Sequence, residues 1–163
     1  MKELYKILIY GYGNPGRQDD GLGIEFANRL ESWSKDQGIR SVHFDTNYQL
    51  NIEDAEAISD MDLVIFADAS SEEIDSFKIT KVDGINDVAF TTHEASPGYI
   101  FKLCGELFHT KPYTLLVHLR GYEWEFKEGL TEKAEENLER AVAFFREALA
   151  EPSSLFSLSL NLN

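Results

Sequence analysis

Residues 5–20 read YKILIYGYGNPGRQDD, an apolar run that leads directly into a glycine-rich turn. Gly11, Gly13 and Gly16 match the pattern G-x-G-x-x-G, which is typical of a dinucleotide-binding turn between a strand and a helix. Two adjacent carboxylates, Asp19 and Asp20, follow where the next helix is predicted to begin. The turn therefore either binds a phosphate or presents its two carboxylates to a positively charged ligand.

Two features of this turn argue against a bound phosphate. Pro15 stiffens the turn and removes a backbone N–H donor. Carboxylates at a helix N-terminus already neutralise the positive end of the helix dipole, which would otherwise attract a phosphate. Asp45, after the second predicted strand, remains available as a ribose ligand, as in dinucleotide-binding folds. A nucleotide-binding α/β enzyme is therefore kept as the less favoured alternative.

Strand-like and helix-like patterns alternate along the rest of the chain. Strands are predicted at 5–10, 41–44, 61–67, 76–82 and 114–119, and helices at 22–33, 51–58, 97–108 and 131–149, the last with Thr131 as N-cap. This alternation predicts an α/β, three-layer fold with a twisted, mostly parallel sheet of about five strands flanked by helices. We expect a single domain over residues 1–150. Residues 151–163 form a C-terminal tail of uncertain order, whose alternating Leu and Ser could add an edge strand or stay loose.

The composition narrows the classes of partner. The chain has 163 residues, 29 acidic against 15 basic side chains, and a formal net charge of −14. Such a charge disfavours nucleic acid and anionic membranes as partners. The lone Cys104 excludes an intramolecular disulfide and a Cys-rich metal site. With neither a signal peptide nor a long apolar run in the sequence, we expect a cytoplasmic protein with no membrane partner.

Polar residues at the predicted strand ends supply a candidate metal site. Asp20, Asp68 and His93 follow three different strands, and ligands of open α/β sheets bind beyond the carboxyl ends of the strands. Two carboxylates and an imidazole suit a borderline divalent ion such as nickel, zinc or manganese. Each residue also has a structural alternative: a helix cap for Asp19 or Asp20, an Asx-turn for Asp68, or an ordinary loop histidine. Spacing alone favours these structural alternatives.

The remaining reactive side chains indicate no classical hydrolytic site. The sequence contains no G-x-S-x-G elbow, and Cys104 lies in an apolar helical pattern typical of a buried thiol. His43 and His118 fall inside strand patterns, which favours structural roles for both. Asn14 is expected to brace the glycine-rich turn through side-chain bonds to the backbone.

Four segments in order resemble the hydrogenase maturation proteases (peptidase family M52), which trim the C-terminus of nickel–iron hydrogenase large subunits. They are GYGNPGRQDDGLG at 11–23, FADAS at 66–70, TTHEASP at 91–97 and RGYEWEFKEGLTEKAEENLERAVAFF at 120–145. The resemblance runs from about residue 5 to residue 148 and leaves only the tail outside it.

The resemblance implies an aspartic-type endopeptidase that acts on a hydrogenase large-subunit precursor. Asp20, Asp68 and His93 take the positions of the family's metal-contacting, catalytic triad, with Asn14, Asp19 and Asp45 as possible supporting residues. The ion is implied to be nickel already inserted in the substrate, for which zinc or cadmium can substitute, and no resident cofactor is implied. A monomer is expected. A non-catalytic chaperone that reads the metal centre through the same triad is the alternative.

Two departures from the family pattern concern the loops around this site. Many members have a D-G-G-T-like turn after the second strand, whereas here Asp45 is followed by TNYQL. Pro15 and Gly16 replace the apolar residues common after G-x-G-N. The loop that carries Asp45 therefore does not follow the family pattern.

Overall fold

The structure, a computed structural model, describes residues 5–84 and 95–158. The strands are β1 (Ile7–Tyr12), β2 (Val42–Asn47), β3 (Leu63–Ser70), β4 (Phe77–Val82) and β5 (Tyr113–Arg120). The α-helices are α1 (Leu22–Asp36), α2 (Asp54–Ile58), α3 (Pro97–Phe108), α4 (Glu132–Ala150) and α5 (Ser153–Leu158). A 3-10 turn, Gln18–Gly21, leads into α1. None of the helices in these residues is both long and apolar enough to span a membrane.

The strands form one sheet in the order β2-β1-β3-β5-β4. β1 pairs in parallel with β2 and β3, and β3 pairs in parallel with β5. Only β4 runs antiparallel, at the edge next to β5. The almost wholly apolar β1 and β3 occupy inner positions, as expected for strands covered on both faces. The predicted mostly parallel α/β sheet is confirmed.

Helices cover both faces of the sheet, and strand alternation sorts the core into two layers. Ile9 and Ile65 point to the face covered by α1 and α4. Tyr10 and Phe66, one residue further along each strand, point to the face covered by α2 and α3. The three-layer arrangement predicted from the sequence is therefore present.

Helix starts agree with the sequence where cap signals are explicit. α3 begins at Pro97 because the Ser96 side chain accepts a hydrogen bond from the Tyr99 N–H. Thr131 caps α4 in the predicted manner, with its hydroxyl accepting from the Ala134 N–H. β2 instead runs beyond its predicted end at residue 44 to Asn47, because backbone pairing with β1 continues through polar residues.

The tail forms neither an edge strand nor a loose end over the residues described, up to 158. It folds into α5, whose Leu155 is 0% exposed in the core beside α4. The Phe156 ring lies 4.7 Å from the Tyr5 ring and 5.3 Å from the Tyr113 ring, measured between centroids. Tyr5 precedes β1 and Tyr113 begins β5, so the tail packs at the amino-terminal edge of the sheet.

Candidate functional site

Two glycines let α1 lie directly on the carboxyl-terminal edge of the sheet. A Cβ on Gly11 would lie 1.9 Å from the Gly23 carbonyl oxygen. A Cβ on Gly23 would lie 2.4 Å from the Ala67 oxygen and 2.6 Å from the Tyr12 oxygen. Real Cβ atoms cannot approach so closely, so only glycine fits. The first turn of α1 is therefore held between the ends of β1 and β3, next to Asp68.

A third glycine sets the turn that carries Asp20. Gly13 has a φ of +138°, and a Cβ there would lie 2.1 Å from the backbone oxygen of Asp20. The Asp20 carboxylate in turn accepts a hydrogen bond of 2.8 Å from the Asn14 N–H. The Gly16 N–H donates to the Asn14 side-chain oxygen at 2.9 Å, which confirms that Asn14 braces the turn. The half-buried Asp20 thus belongs to a braced turn at the carboxyl-terminal edge of the sheet, not to a free loop.

The backbone N–H groups of the turn are already used within the chain. Beyond those of Asn14 and Gly16, the Gly13 N–H donates to Asn47 O and the Arg17 N–H donates to Asn14 O, while Pro15 has no N–H. A phosphate-binding turn must instead direct such groups at its ligand. The geometry therefore disfavours the nucleotide alternative, even though the glycine pattern matches.

Asp19, next to Asp20, is an internal anchor and does not face a ligand. It is 0% exposed, and its carboxylate accepts four hydrogen bonds, from the N–H groups of Tyr122, Glu123 and Thr131 and from the Thr131 hydroxyl. Gly121 makes room for it, since a Cβ there would lie 2.7 Å from the Asp19 Cβ. Neither aspartate caps α1 through its side chain.

The loop between β5 and α4 is fastened to the same turn by further bonds. The Gln18 N–H donates to Lys127 O at 2.9 Å, and the Gln18 side-chain oxygen accepts from the Glu125 N–H at 3.1 Å. The Arg17 guanidinium lies 5.0 Å from the centroid of the exposed Phe126 ring. Together with the Asp19 bonds, these contacts make the turn and the 121–131 loop one unit. The sequence predicted no part for Gln18.

Asp68 lies near the end of β3, one residue beyond Ala67. Strand alternation places its side chain on the same face as Phe66, the face covered by α2 and α3. In register, Asp68 pairs with His118 of β5, and His118 pairs with Lys78 of β4. Asp68, His118 and Lys78 therefore form one polar row across the sheet face at its carboxyl-terminal edge.

His118 is the residue of this row whose proximity to Asp68 the sequence did not predict. Its Nε2 lies 2.9 Å from the Thr80 hydroxyl. Burial and the nearby Lys78 ammonium hold the pKa of His118 below its usual value, with the Glu72 carboxylate opposing them. Its bond to Thr80 agrees with the predicted structural role. The sequence would predict the position of His118 beside Asp68 if β3 and β5 were taken as neighbours and the alternation of side chains along each strand were followed.

Asp45 lies on β2, opposite Tyr10 in register. It is exposed, and its carboxylate accepts a 2.9 Å bond from the N–H of the following residue, Thr46. Asp45 thus precedes the end of its strand by two residues, whereas Asn47 is paired with Tyr12 at the edge itself.

His93 lies outside the described residues, so the predicted triad is not tested as a set. The flank that follows it is described: Ala95 forms an antiparallel bridge with Leu50, and Ser96 caps α3. Among residues 5–84 and 95–158, no group of three or more His, Cys, Asp or Glu side chains lies close enough together to hold a metal ion. Asp20 and Asp68 are therefore the two triad positions whose surroundings can be described.

Several solved structures with the same fold are named as hydrogenase maturation proteases. [NiFe] hydrogenase maturation protease HycI from Thermococcus kodakarensis KOD1 superposes with a TM-score of 0.73 at 22% identity, covering 90% of this chain and 94% of that one. Hydrogenase maturating endopeptidase HybD from E. coli gives a TM-score of 0.69 at 23% identity over 90% and 93% of the two chains. The hydrogenase 2 maturation peptidase from Thaumarchaeota archaeon SCGC_AB-539-E09 gives 0.63 at 23% over 89% and 98%.

At the level of sequence, no protein-family model and no curated protein matches the chain. The structural likeness nevertheless extends over 90% of this chain and over 94% and 93% of the first two solved proteins. The chain therefore has the fold of the hydrogenase maturation proteases.

Proposed function

We propose that this chain is an endopeptidase that removes the C-terminal extension of a nickel–iron hydrogenase large-subunit precursor after recognising the inserted nickel. The observation that supports the proposal is that the 3-10 turn containing Asp20 contacts β3, the strand that carries Asp68. The fold shared with proteins named as maturation proteases supports the same conclusion.

In this proposal the three triad residues contact nickel that belongs to the substrate. Asp20 and Asp68 supply oxygen ligands and His93 supplies a nitrogen ligand, a set that leaves coordination positions for the substrate's own groups. A set of only three protein ligands can contact a metal centre without removing the metal from it. Zinc or cadmium can take the place of nickel, since neither carboxylate nor imidazole is selective.

The proposed chemistry needs no nucleophile from the protein. The substrate's nickel would act as a Lewis acid on the scissile carbonyl. Water would add to the carbonyl carbon, the C–N bond would break, and the proton lost by the water would pass to the departing amine. The chain's part is to hold the metal centre against the sheet edge, with Asp20 braced by Asn14 and by the turn that Asp19 anchors. The formal charge of −14 supports docking to a positively charged centre.

The test uses purified nickel-loaded precursor, with intact-mass spectrometry to follow loss of the extension. Asp20→Ala, Asp68→Ala and His93→Ala are each expected to lower processing by more than about 100-fold, beyond the loss usual for an outer-shell residue of a metal site. Asp36→Ala is the matched control, because Asp36 is an exposed carboxylate at the far end of α1. Precursor without nickel is expected to stay uncut.

Other outcomes point to other functions. Nickel-dependent binding of the precursor without any change of its mass identifies a non-catalytic reader of the metal centre. Full activity of the triple variant excludes the triad. Asp45→Ala, measured alongside, decides whether Asp45 supports the site or only its own turn.

A further inference from the structure

An apolar groove of about 260 Å³ lies between α2 and α3, on the layer that covers the Asp68 face of the sheet. Its apolar lining residues are Ile52, Tyr99, Leu103, Leu107 and Phe108. Ile52 is 60% exposed and Leu107 is 61% exposed. Single exposed apolar residues are normal on a protein surface, but several in one groove mark a site of interaction.

The sequence of α3 shows that this groove is not an ordinary solvent face. Ile100 and Cys104 point into the core and are fully buried, as the inner face of a helix requires. Tyr99, Leu103 and Leu107 recur every four residues and so form a second apolar stripe along the outer side. A helix that is apolar on two sides is typical of one that is covered on both.

Two carboxylates at the edge of the groove indicate the charge of what covers it. Glu53 and Glu56 of the α2 region line it, and both are exposed. Their charges add to a chain that already carries a net charge of −14. An apolar occupant that also carries lysine or arginine is complementary to such a groove and is attracted to it over a distance.

The secondary structure around the groove indicates the shape of the occupant. The described residues that line the groove lie in α3, in α2 and in the turn before α2, and none of them belongs to a strand. An extended chain bound there would therefore have no strand edge with which to form backbone hydrogen bonds. An occupant in an apolar groove must then satisfy its own backbone groups, which a helix does. The groove can run along α3, whose 12 residues span about 18 Å.

One end of the groove lies at the start of α3, where Tyr99 lines it. α3 begins at the carboxyl-terminal edge, where the bridge between Leu50 and Ala95 ties its start to the loop after β2. We propose that the groove binds an apolar, lysine- or arginine-bearing helical segment of the precursor while the precursor's metal centre meets Asp20 and Asp68. This inference rests on the proposed function, because it takes the same precursor as its partner.

The test compares steady-state processing by wild type, Ile52→Glu and Leu107→Glu. Both side chains are mostly exposed, so neither change removes a core contact. Each is expected to raise KM for the precursor by about tenfold or more while kcat changes little, since a charge in the groove must be desolvated on docking. Ala143→Glu is the control, because it adds the same charge at an exposed position of α4, on the opposite layer.

A second pair of variants tests the charge. Glu53→Gln with Glu56→Gln is expected to raise KM at low salt and to lose that effect at about 0.5 M salt, where charges are screened within a few ångströms. Circular dichroism melts check that each variant is folded. Unchanged KM in both groove variants overturns the inference, as does a salt response equal to that of wild type.

Direct binding of the precursor, measured by calorimetry, separates the two proposals. If wild type binds the precursor without cutting it and Leu107→Glu weakens binding, the groove stands and the protease function fails. If wild type cuts but the groove variants bind and cut equally well, only the groove fails. Absence of any precursor binding overturns the groove. Self-association of wild type that Leu107→Glu abolishes, seen by sedimentation, also overturns it, because the occupant is then a second copy.

Discussion

The carboxylate of Asp19 accepts hydrogen bonds from both the backbone N–H, at 2.7 Å, and the hydroxyl, at 2.8 Å, of Thr131, which is 112 positions further along the chain. This contact joins the turn after β1 to the N-cap residue of α4. Asp20 is covalently next to it and faces the rim. Adjacent carboxylates thus have separate tasks, one holding the turn and the other presented at the candidate site.

We expect Asp19→Ala to lower the free energy of unfolding by about 3 kcal/mol or more, because it leaves the N–H groups of Tyr122, Glu123 and Thr131 without their acceptor. Urea unfolding of the variant and wild type measures the difference. Asp20→Ala is the matched comparison. It removes the hydrogen bond that the half-buried Asp20 carboxylate accepts from the Asn14 N–H, and it is expected to cost about 1 kcal/mol while abolishing processing. Equal losses of stability in the two variants contradict this division.

Gly13→Ala is expected to misplace Asp20. The new Cβ would lie 2.1 Å from the Asp20 backbone oxygen, and the alanine would have to adopt a φ of +138°. The turn therefore has to shift. Strain of this kind costs about 1–3 kcal/mol, and processing is expected to fall by more than tenfold even where the protein remains folded. Thermal unfolding and precursor processing measure the two effects separately.

Gly38→Ala is the control for that experiment. Gly38 also has a positive φ, +70°, but nothing lies within 4 Å of the added Cβ. It is expected to cost about 1 kcal/mol of stability through backbone strain alone and to leave processing unchanged. A loss of processing in Gly38→Ala as large as in Gly13→Ala shows that strain, not the position of Asp20, is responsible.

His118 is expected to make the fold less stable in mild acid. Burial and Lys78 keep the pKa of His118 below its usual value, whereas the unfolded chain has the ordinary value of about 6.5. Below that pH the unfolded state binds a proton that the folded state does not, so stability falls as pH drops toward the folded pKa and is steady above about pH 7.

Urea unfolding of wild type and His118→Gln between pH 7.5 and pH 5 checks this. The variant is expected to show a shallower decline, with a difference in slope of at most about 1.4 kcal/mol per pH unit. Parallel curves for the two proteins rule out a contribution from His118. The groups around His118 are Lys78, Glu72, Thr80 and Asp68 of the neighbouring strand, so the result reports on the edge of the sheet where β3, β5 and β4 pair.

The sequence was sufficient where a signal is local. The apolar runs at 5–10 and 61–67 predicted strands, which are present as β1 and β3, and Thr131 was predicted as the N-cap of α4, which it is. The prediction that Asn14 braces its turn is confirmed for the same reason, since the acceptor and donor are two residues apart.

Long-range contacts account for what the sequence did not predict. No local feature of the sequence distinguishes Asp19 from Asp20. Asp19 is buried because Thr131 and Gly121, which are distant in the sequence, pack against it, whereas Asp20 stays half-buried. The polar end of β2 is a strand because β1 supplies its backbone partners. The position of His118 beside Asp68 depends likewise on which strands are neighbours. The triad itself stays a prediction, because His93 lies outside the described residues.

The tail is expected to contribute to stability but not to processing. Leu155 is 0% exposed in the core cluster beside α4, so Leu155→Ala leaves a cavity and is expected to cost about 2–3 kcal/mol, the lower part of the usual range because a short terminal helix can partly detach. α5 packs on Tyr5 and Tyr113 at the amino-terminal edge, opposite to Asp20 and Asp68, so kcat/KM is expected to stay within about twofold of wild type. Ser157→Ala, at an exposed position of the same helix, is the control and is expected to change stability by less than about 0.5 kcal/mol. A loss of kcat/KM in Leu155→Ala at a temperature where the variant is fully folded contradicts this separation and connects the tail to the opposite edge of the sheet.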